Sequence, residues 1–285
     1  LHIYDIKSNN VKKLTIKIDA DLPHIRPTYV KGNSYMRWAN ISPTGARAVV
    51  EMRGEILTIP AEKGDPRNIT NSIAVHDRTP AWSPDGKSIA YFSDESGEYA
   101  LHVAPQNGEG AVKKFKLNGS GFYEHPEWSP DNQKIVYRDN SLTLYWIDIK
   151  SGSIKKIASQ IYYAPGPLNT IKGSWSSDSK WIVYTSITRS FMQVVNLYSV
   201  DQDKSYPVTD GMSEVSDPVF DKSGKYLYFL SSTDAGPVKQ WFDMSNADMQ
   251  MNSSLYILCL KKDSISPLAK ESDEEKVSDV KDAKQ

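Results

Sequence analysis

A four-residue turn recurs along the chain at a nearly constant period, and that period restricts the fold more than any other feature. The copies are Ser42-Pro43-Thr44-Gly45, Ser83-Pro84-Asp85-Gly86, Ser129-Pro130-Asp131-Asn132, Ser176-Ser177-Asp178-Ser179 and Asp221-Lys222-Ser223-Gly224, with first residues 41, 46, 47 and 45 positions apart. Ser or Asp opens each with an oxygen able to cap a backbone N–H. Pro presets φ at the next position in the first three. A large apolar residue precedes every turn (Ile41, Trp82, Trp128, Trp175, Phe220), and an alternating run follows, as in Lys134-Ile135-Val136-Tyr137.

A repeat of roughly 40–50 residues built of short strands is the period of a four-stranded β-propeller blade. Third strands are expected at Glu55–Pro60, Tyr99–Val103, Leu142–Asp148, Val195–Val200 and Leu255–Leu260. Fourth strands follow at Arg67–Thr70, Val112–Phe115, Ile154–Ile157, Tyr206–Thr209 and Ile265–Leu268. The alternation has period two throughout, with no helical stretch. The fold class is all-β: five whole blades over 22–268 (approximately 32–70, 75–116, 120–158, 165–210 and 213–268). Leu1–Asp5 and Val11–Leu14 repeat only the second half of a blade, so 1–16 reads as the last two strands of a preceding blade or propeller. The fifth blade already has its own third and fourth strands, so this half-blade does not complete it, and the ring is expected to be unfinished within the chain. The tail 269–285 is charged and reads as a linker or a disordered segment.

A formal net charge of −1 offers no broad field for nucleic acid or an anionic membrane. Cys259 is the only cysteine, which excludes an intrachain disulfide and a Cys-rich zinc site. No apolar run approaches the ~20 residues of a membrane span. A start at Leu1 without a signal-peptide pattern reads as a fragment or processed product. Periplasmic and cytoplasmic proteins both read this way, the periplasm being preferred.

The chain carries no catalytic signature of its own. Asn118-Gly119-Ser120-Gly121 lacks the spacing of a nucleophile elbow, there is no phosphate loop or His-Glu-x-x-His, and Ser83 and Ser129 are explained by turn capping. The five histidines are scattered, so no metal and no cofactor is expected. Two groups stand out. Arg37, His76, Arg78, His125 and Lys172 lie just ahead of blade turns, on the strand expected to line a central channel, where cations attract a peptide C-terminus. Otherwise they are solvated, or paired with Asp77, Glu124 and Glu127. The long loop Thr233–Asn252 carries Trp241, Phe242, Met244, Met249 and Met251, apolar content that suits packing on a neighbouring domain or subunit, or over its own blade edge. Asn-x-Ser/Thr matches at Asn68, Asn118 and Asn252 are a chance expectation.

The stretch from Arg53-Gly54-Glu55-Ile56 to Glu62-Lys63-Gly64, and its continuation Pro80-Ala81-Trp82-Ser83-Pro84-Asp85-Gly86 to Tyr99, resembles the second propeller of tricorn-type serine proteases. Trp175–Tyr184, Pro207–Gly211 and Ser264–Leu268 look similar too. The Trp-Ser-Pro-Asp-Gly element alone is shared with TolB-like and prolyl-oligopeptidase-type propellers. The resemblance implies a parent with two propellers, a PDZ-like module and a C-terminal serine-peptidase domain, assembled into oligomers. The five blades would then belong to a seven-bladed ring that guides peptide substrates to the peptidase. No catalytic residue is carried over. The expected function is non-catalytic gating of peptides in a tricorn-like peptidase; the alternative is a TolB-like scaffold that binds a protein partner.

Overall fold

The five turns fold with one hydrogen-bond pattern. Ser83 Oγ accepts the Ser88 N–H at 3.0 Å and donates to Asp85 Oδ1 at 2.6 Å. Ser129 does the same with Lys134 and Asp131 (2.9 and 2.5 Å), and Ser176 with Trp181 and Asp178 (2.9 and 2.6 Å). Ser42 accepts the Arg47 N–H, and Asp221 that of Tyr226, both at 3.0 Å. The closing residue has positive φ in each: Gly45 75°, Gly86 71°, Asn132 61°, Ser179 60° and Gly224 67°. Asn132 and Ser179 bear that cost because their side chains reach the preceding turn, accepting the N–H of Asp85 at 2.9 Å and of Asp131 at 3.1 Å.

The structure, a computed structural model, describes residues 1–17, 19–26, 28, 31–162, 171–233, 252–262 and 264–274. It divides into two units, Leu1–Ser34 and Tyr35–Gln285. In the first, β1 (His2–Asp5) and β2 (Asn10–Lys13) form an exposed antiparallel hairpin, with Asp5 Oδ1 accepting the N–H groups of Lys7 and Ser8. Short 3-10 turns follow at Pro23–Ile25 and Gly32–Tyr35.

The second unit is a succession of five antiparallel sheets. Sheet 1 comprises β3 (Met36–Ile41), β4 (Arg47–Met52), β5 (Glu55–Pro60) and β6 (Arg67–Asn68). Sheet 2 comprises β7 (Asp77–Trp82), β8 (Ser88–Ser93), β9 (Ala100–Pro105) and β10 (Lys113–Lys116). Sheet 3 follows with β11 (Tyr123–Trp128), β12 (Lys134–Asp139), β13 (Thr143–Asp148) and β14 (Ile154–Ser159). Sheet 4 holds β15 (Gly173–Trp175), β16 (Trp181–Ile187), β17 (Gln193–Ser199) and β18 (Lys204–Pro207). Sheet 5 has three strands among the described residues: β19 (Glu214–Phe220), β20 (Tyr226–Ser232) and β21 (Ser254–Cys259). In every sheet the strands lie side by side in chain order, consistent with propeller blades.

The fourth strand expected at Ile265–Leu268 is absent from sheet 5. Ser266 instead closes a turn, its carbonyl accepting the Ala269 N–H at 2.9 Å and its Oγ that of Leu268 at 3.2 Å. The other fourth strands form within a residue or two of their expected places, the shortest being β6.

Four apolar clusters fill the four junctions between successive sheets. Sheets 2 and 3 share Phe92, Leu101, Ile135, Tyr137 and Ile147, while sheets 3 and 4 share Leu144, Ile171, Ile182 and Tyr198. Val49, Ile56 and Ile89 join sheets 1 and 2, and Val195, Val215 and Leu227 join sheets 4 and 5. The tryptophans before the third and fourth turns also span a junction. Trp128 Nε1 donates to the Ala81 carbonyl at 3.2 Å, and Trp175 Nε1 to the Glu127 carbonyl at 3.1 Å. The end sheets differ: Ile41 of sheet 1 is 70% exposed and Leu255 of sheet 5 is 67% exposed, so each leaves apolar surface uncovered.

Candidate functional site

The first strand of most sheets contains a bulge. In sheet 2, Arg78 pairs with Phe92 and Ala81 with Ala90, so Thr79 and Pro80 together oppose Tyr91. His125 and Pro126 oppose Tyr137 in sheet 3, and Asp217 and Pro218 oppose Phe229 in sheet 5, in the same way. Proline cannot donate to a ladder, and a bulge is where a strand tolerates it. The residue before each proline takes left-handed φ: 48° at Thr79, 52° at His125 and 50° at Asp217. For a β-branched threonine that conformation costs about 1–2 kcal/mol. Sheet 1 carries its extra residue at Arg37, without a proline. Sheet 4 has Gly173 where sheets 2, 3 and 5 have proline, and its three pairs run without a shift. A Cβ at Gly173 would lie 2.9 Å from methyls of both Ile182 and Val136, so close packing of sheet 3 on sheet 4 explains the glycine.

The bulge residues of sheets 1, 2 and 3 meet. Arg37, Thr79 and His125 line one cavity of about 320 Å³, together with Trp38, His76 and Arg78 and the carboxylates of Glu51 and Glu124. His125 packs edge-on against Trp38, ring centroids 5.2 Å apart. Arg78 lies over the Phe122 ring, its Cζ 4.2 Å from the centroid, and the His76 Nδ1 is 2.7 Å from the Tyr99 hydroxyl.

The two carboxylates are already engaged. Glu51, buried, accepts the Thr79 N–H at 2.8 Å, which helps hold the strained residue. Glu124 accepts from Arg138 at 2.7 Å; burial alone would raise its pKa, but that bond and charge outweigh burial and hold it below the ordinary range. Burial, with Arg138 and Lys172 nearby, pushes His125 down to about 4, so its ring is neutral at pH 7. Two donors remain unmatched: the Thr79 hydroxyl, on a residue only 3% exposed, and the Arg78 Nε–H.

Four of the five cationic or histidine residues singled out in the sequence thus share one cavity. Lys172 does not. It lines a second cavity, of about 390 Å³, with Glu127, Thr185 and Asp217. The acidic neighbours offered as partners are committed elsewhere. Asp77 accepts from Ser72 at 2.6 Å, and Glu127 from the Trp175 N–H at 3.3 Å and the Ser174 hydroxyl at 3.2 Å. Among the described residues Arg37, Arg78 and Lys172 make no ion pair. Ser120 is part of a loop tied to sheet 3, its N–H bonded to Asp139 Oδ2 at 3.2 Å. Trp241, Phe242, Met244, Met249 and Met251 lie outside the described residues.

Trp38, Glu51 and Thr79 escaped the sequence reading. The prolines were the available signal: Pro80, Pro126 and Pro218 each stand three residues before a turn, inside a run that otherwise reads as strand. That position demands a bulge, and the residue before it is the one re-aimed.

A family model described as the tricorn protease second beta propeller domain matches residues 36–285. Among curated proteins, the chain is 23% identical to a tricorn protease homolog of Saccharolobus solfataricus over 83% of this chain and 21% of the relative. It is 25% identical to the tricorn protease of Thermoplasma volcanium over 64% of this chain and 16% of the relative. The chain therefore spans about a fifth of the length of these relatives. Among solved structures, the tricorn protease aligns with a TM-score of 0.67 at 16% identity, over 98% of this chain and 27% of that one. A TolB protein from Agrobacterium tumefaciens aligns at 0.51 and 23% identity, over 70% of this chain and 71% of that one.

Proposed function

The chain belongs to the tricorn protease second β-propeller domain family, and from that premise we propose that it gates and guides peptides toward a C-terminal protease domain of a longer protein. The observation that carries this reading is the cavity on the first strands of sheets 1–3, where Arg37, His76, Arg78 and His125 converge. Three successive strands aim polar groups into one space, an arrangement suited to an extended chain passing along the strand edges. A folded protein cannot present its backbone that way, so selection is by size and extension. The five sheets belong to a seven-bladed ring in this reading, and the uncovered apolar residues Ile41 and Leu255 on the end sheets support continuation to further blades. The hairpin of β1 and β2 ends a preceding propeller, and a PDZ-like module and oligomeric assembly complete the parent. Among the described residues no helix is long and apolar enough to cross a membrane.

Deleting this propeller from the parent protease tests the proposal. Hydrolysis of dipeptide- and tripeptide-length substrates is expected to persist while discrimination against long peptides changes. Unchanged size selectivity would overturn gating and favour a partner-binding scaffold.

A further inference from the structure

We propose that the cavity between the first strands of sheets 1, 2 and 3 is a carboxylate subsite, with Arg37, Arg78 and Thr79 as donors to a peptide's C-terminal carboxylate or acidic side chain. The inference rests on the peptide-guiding reading and adds what part of the peptide is held there.

The donor inventory points this way. The cavity already contains two carboxylates, each satisfied from its own side, Glu51 by the Thr79 N–H and Glu124 by Arg138. What remains unmatched is donor capacity: the Thr79 hydroxyl, the Arg78 Nε–H and the guanidinium of Arg37, which has no ion pair among the described residues. A buried hydroxyl without a partner is costly, and a bound acceptor removes that cost. Thr79 also bears left-handed strain at the position that turns it into the cavity, and strain of this kind gathers at ligand sites.

Charge and size narrow the ligand. The Glu124–Arg138 pair cancels, and Arg37 and Arg78 exceed Glu51 by one positive charge, a match for a monoanion rather than a phosphate dianion. Guanidinium groups suit the planar, bidentate geometry of a carboxylate. A volume of about 320 Å³ is at the small end of ligand pockets, ~300–1,000 Å³, and accommodates one or two residues of a peptide. Trp38 and the neutral His125 supply flat apolar walls for the atoms adjoining the carboxylate.

Calorimetric titration of the chain with three peptides tests this: tri-alanine with a free C-terminus, tri-alanine amide, and Ala-Glu-Ala amide. The free acid is expected to bind at least about tenfold tighter than the amide, and Arg37→Gln and Arg78→Gln should each remove most of that difference. Arg37 is exposed, so its variant keeps the test valid if Arg78→Gln, which vacates the Phe122 ring, fails to fold. Lys87→Gln, on an exposed turn, should leave binding unchanged. Tight binding of the Glu peptide amide would mark side-chain carboxylates as the source, and binding of the free acid alone would mark C-termini. Equal binding of all three peptides overturns the carboxylate subsite while leaving peptide guiding intact. Binding differences that survive both arginine variants overturn it as well. If none of the peptides binds, the subsite falls, and gating rests on the size-selectivity experiment alone.

Discussion

The turns and the bulges of the sheets are both repeated, but they repeat different things. Each turn keeps its chemistry: an opening oxygen caps the N–H five residues on, and the closing residue is left-handed, in all five copies. The bulges of sheets 2, 3 and 5 keep a geometry while the residue at the kink changes from Thr79 to His125 and Asp217. A position held in shape but free in chemistry is where a repeat protein can differentiate one blade from the next. The framework is made by the turns and the tryptophans beside them, and the cavity is made by what the bulges present.

The sharpest way to separate the two is to remove a framework side chain. Trp128 fills the junction of sheets 2 and 3 and donates across it to Ala81. Trp128→Ala should cost about 3–5 kcal/mol in denaturant unfolding, through lost burial, a cavity and the lost hydrogen bond to Ala81. Arg37→Gln, at the exposed bulge of sheet 1, should change stability by under about 0.5 kcal/mol. Similar losses from both would mean that the bulge residues are framework too.

A smaller effect is expected inside a turn. Ser129 is fully buried and makes two bonds at once, to the Lys134 N–H and to Asp131. Ser129→Ala should cost about 1–2 kcal/mol, comparable to loss of a helix cap. Peptide binding at the cavity should be unaltered. A loss of binding without a loss of stability would place this turn in the site.

How legible each part was in the sequence follows from the same contrast. The turns could be read directly because their residue types and spacing repeat; Ser83, Ser129 and Ser176 announce one another. The cavity was half legible. Arg37, Arg78 and His125 could be placed on first strands, and His76 just ahead of one, by counting back from the turns. Glu51 could not, because it comes from the second strand of sheet 1 and meets Thr79 through a 2.8 Å bond across the junction of two sheets. Nor could the engagement of Glu124 by Arg138 of the neighbouring strand be read from spacing. The expected ring of cations also ignored that Lys172 stands beside a glycine where other sheets have proline, and without a bulge it faces a different cavity.

The bulge of sheet 3 has a pH signature in a higher window than the turns, where hydrogen bonds outweigh burial and hold Asp85, Asp131 and Asp221 below the ordinary carboxylate range. His125 has an ordinary value of 6.5 when unfolded and about 4 when folded. Between these values the unfolded chain holds a proton that the folded chain refuses. The contribution is therefore complete above about pH 6.5 and lost as the pH falls toward 4. Arg138, Lys172 and Glu124 face the ring, the two cations favouring the neutral form and the carboxylate opposing them. With allowance for solvent screening of a half-buried ring, the effect is about 1 kcal/mol. His125→Phe should flatten the stability profile over that window relative to the parent chain. An NMR titration placing His125 near 6.5 would remove the basis for the difference.

A stability change near zero or of opposite sign is expected where the strain is. At Thr79, replacement by glycine relieves a left-handed conformation worth about 1–2 kcal/mol. It also adds about 0.5–1 kcal/mol of backbone entropy loss and removes a buried methyl worth about 0.8 kcal/mol. These nearly cancel, and loss of the buried, unpartnered hydroxyl relieves a further desolvation cost, so Thr79→Gly should be neutral or stabilising relative to the parent. Thr143, in β13, has no positive φ to relieve and bonds Ser159 at 2.8 Å, so Thr143→Gly should cost about 2 kcal/mol or more. If Thr79→Gly proves as costly as Thr143→Gly, the bulge stores no strain and its threonine is framework. If it is nearly neutral in stability yet weakens binding of the free-acid peptide, the strained hydroxyl is kept for what it touches in the cavity rather than for the fold.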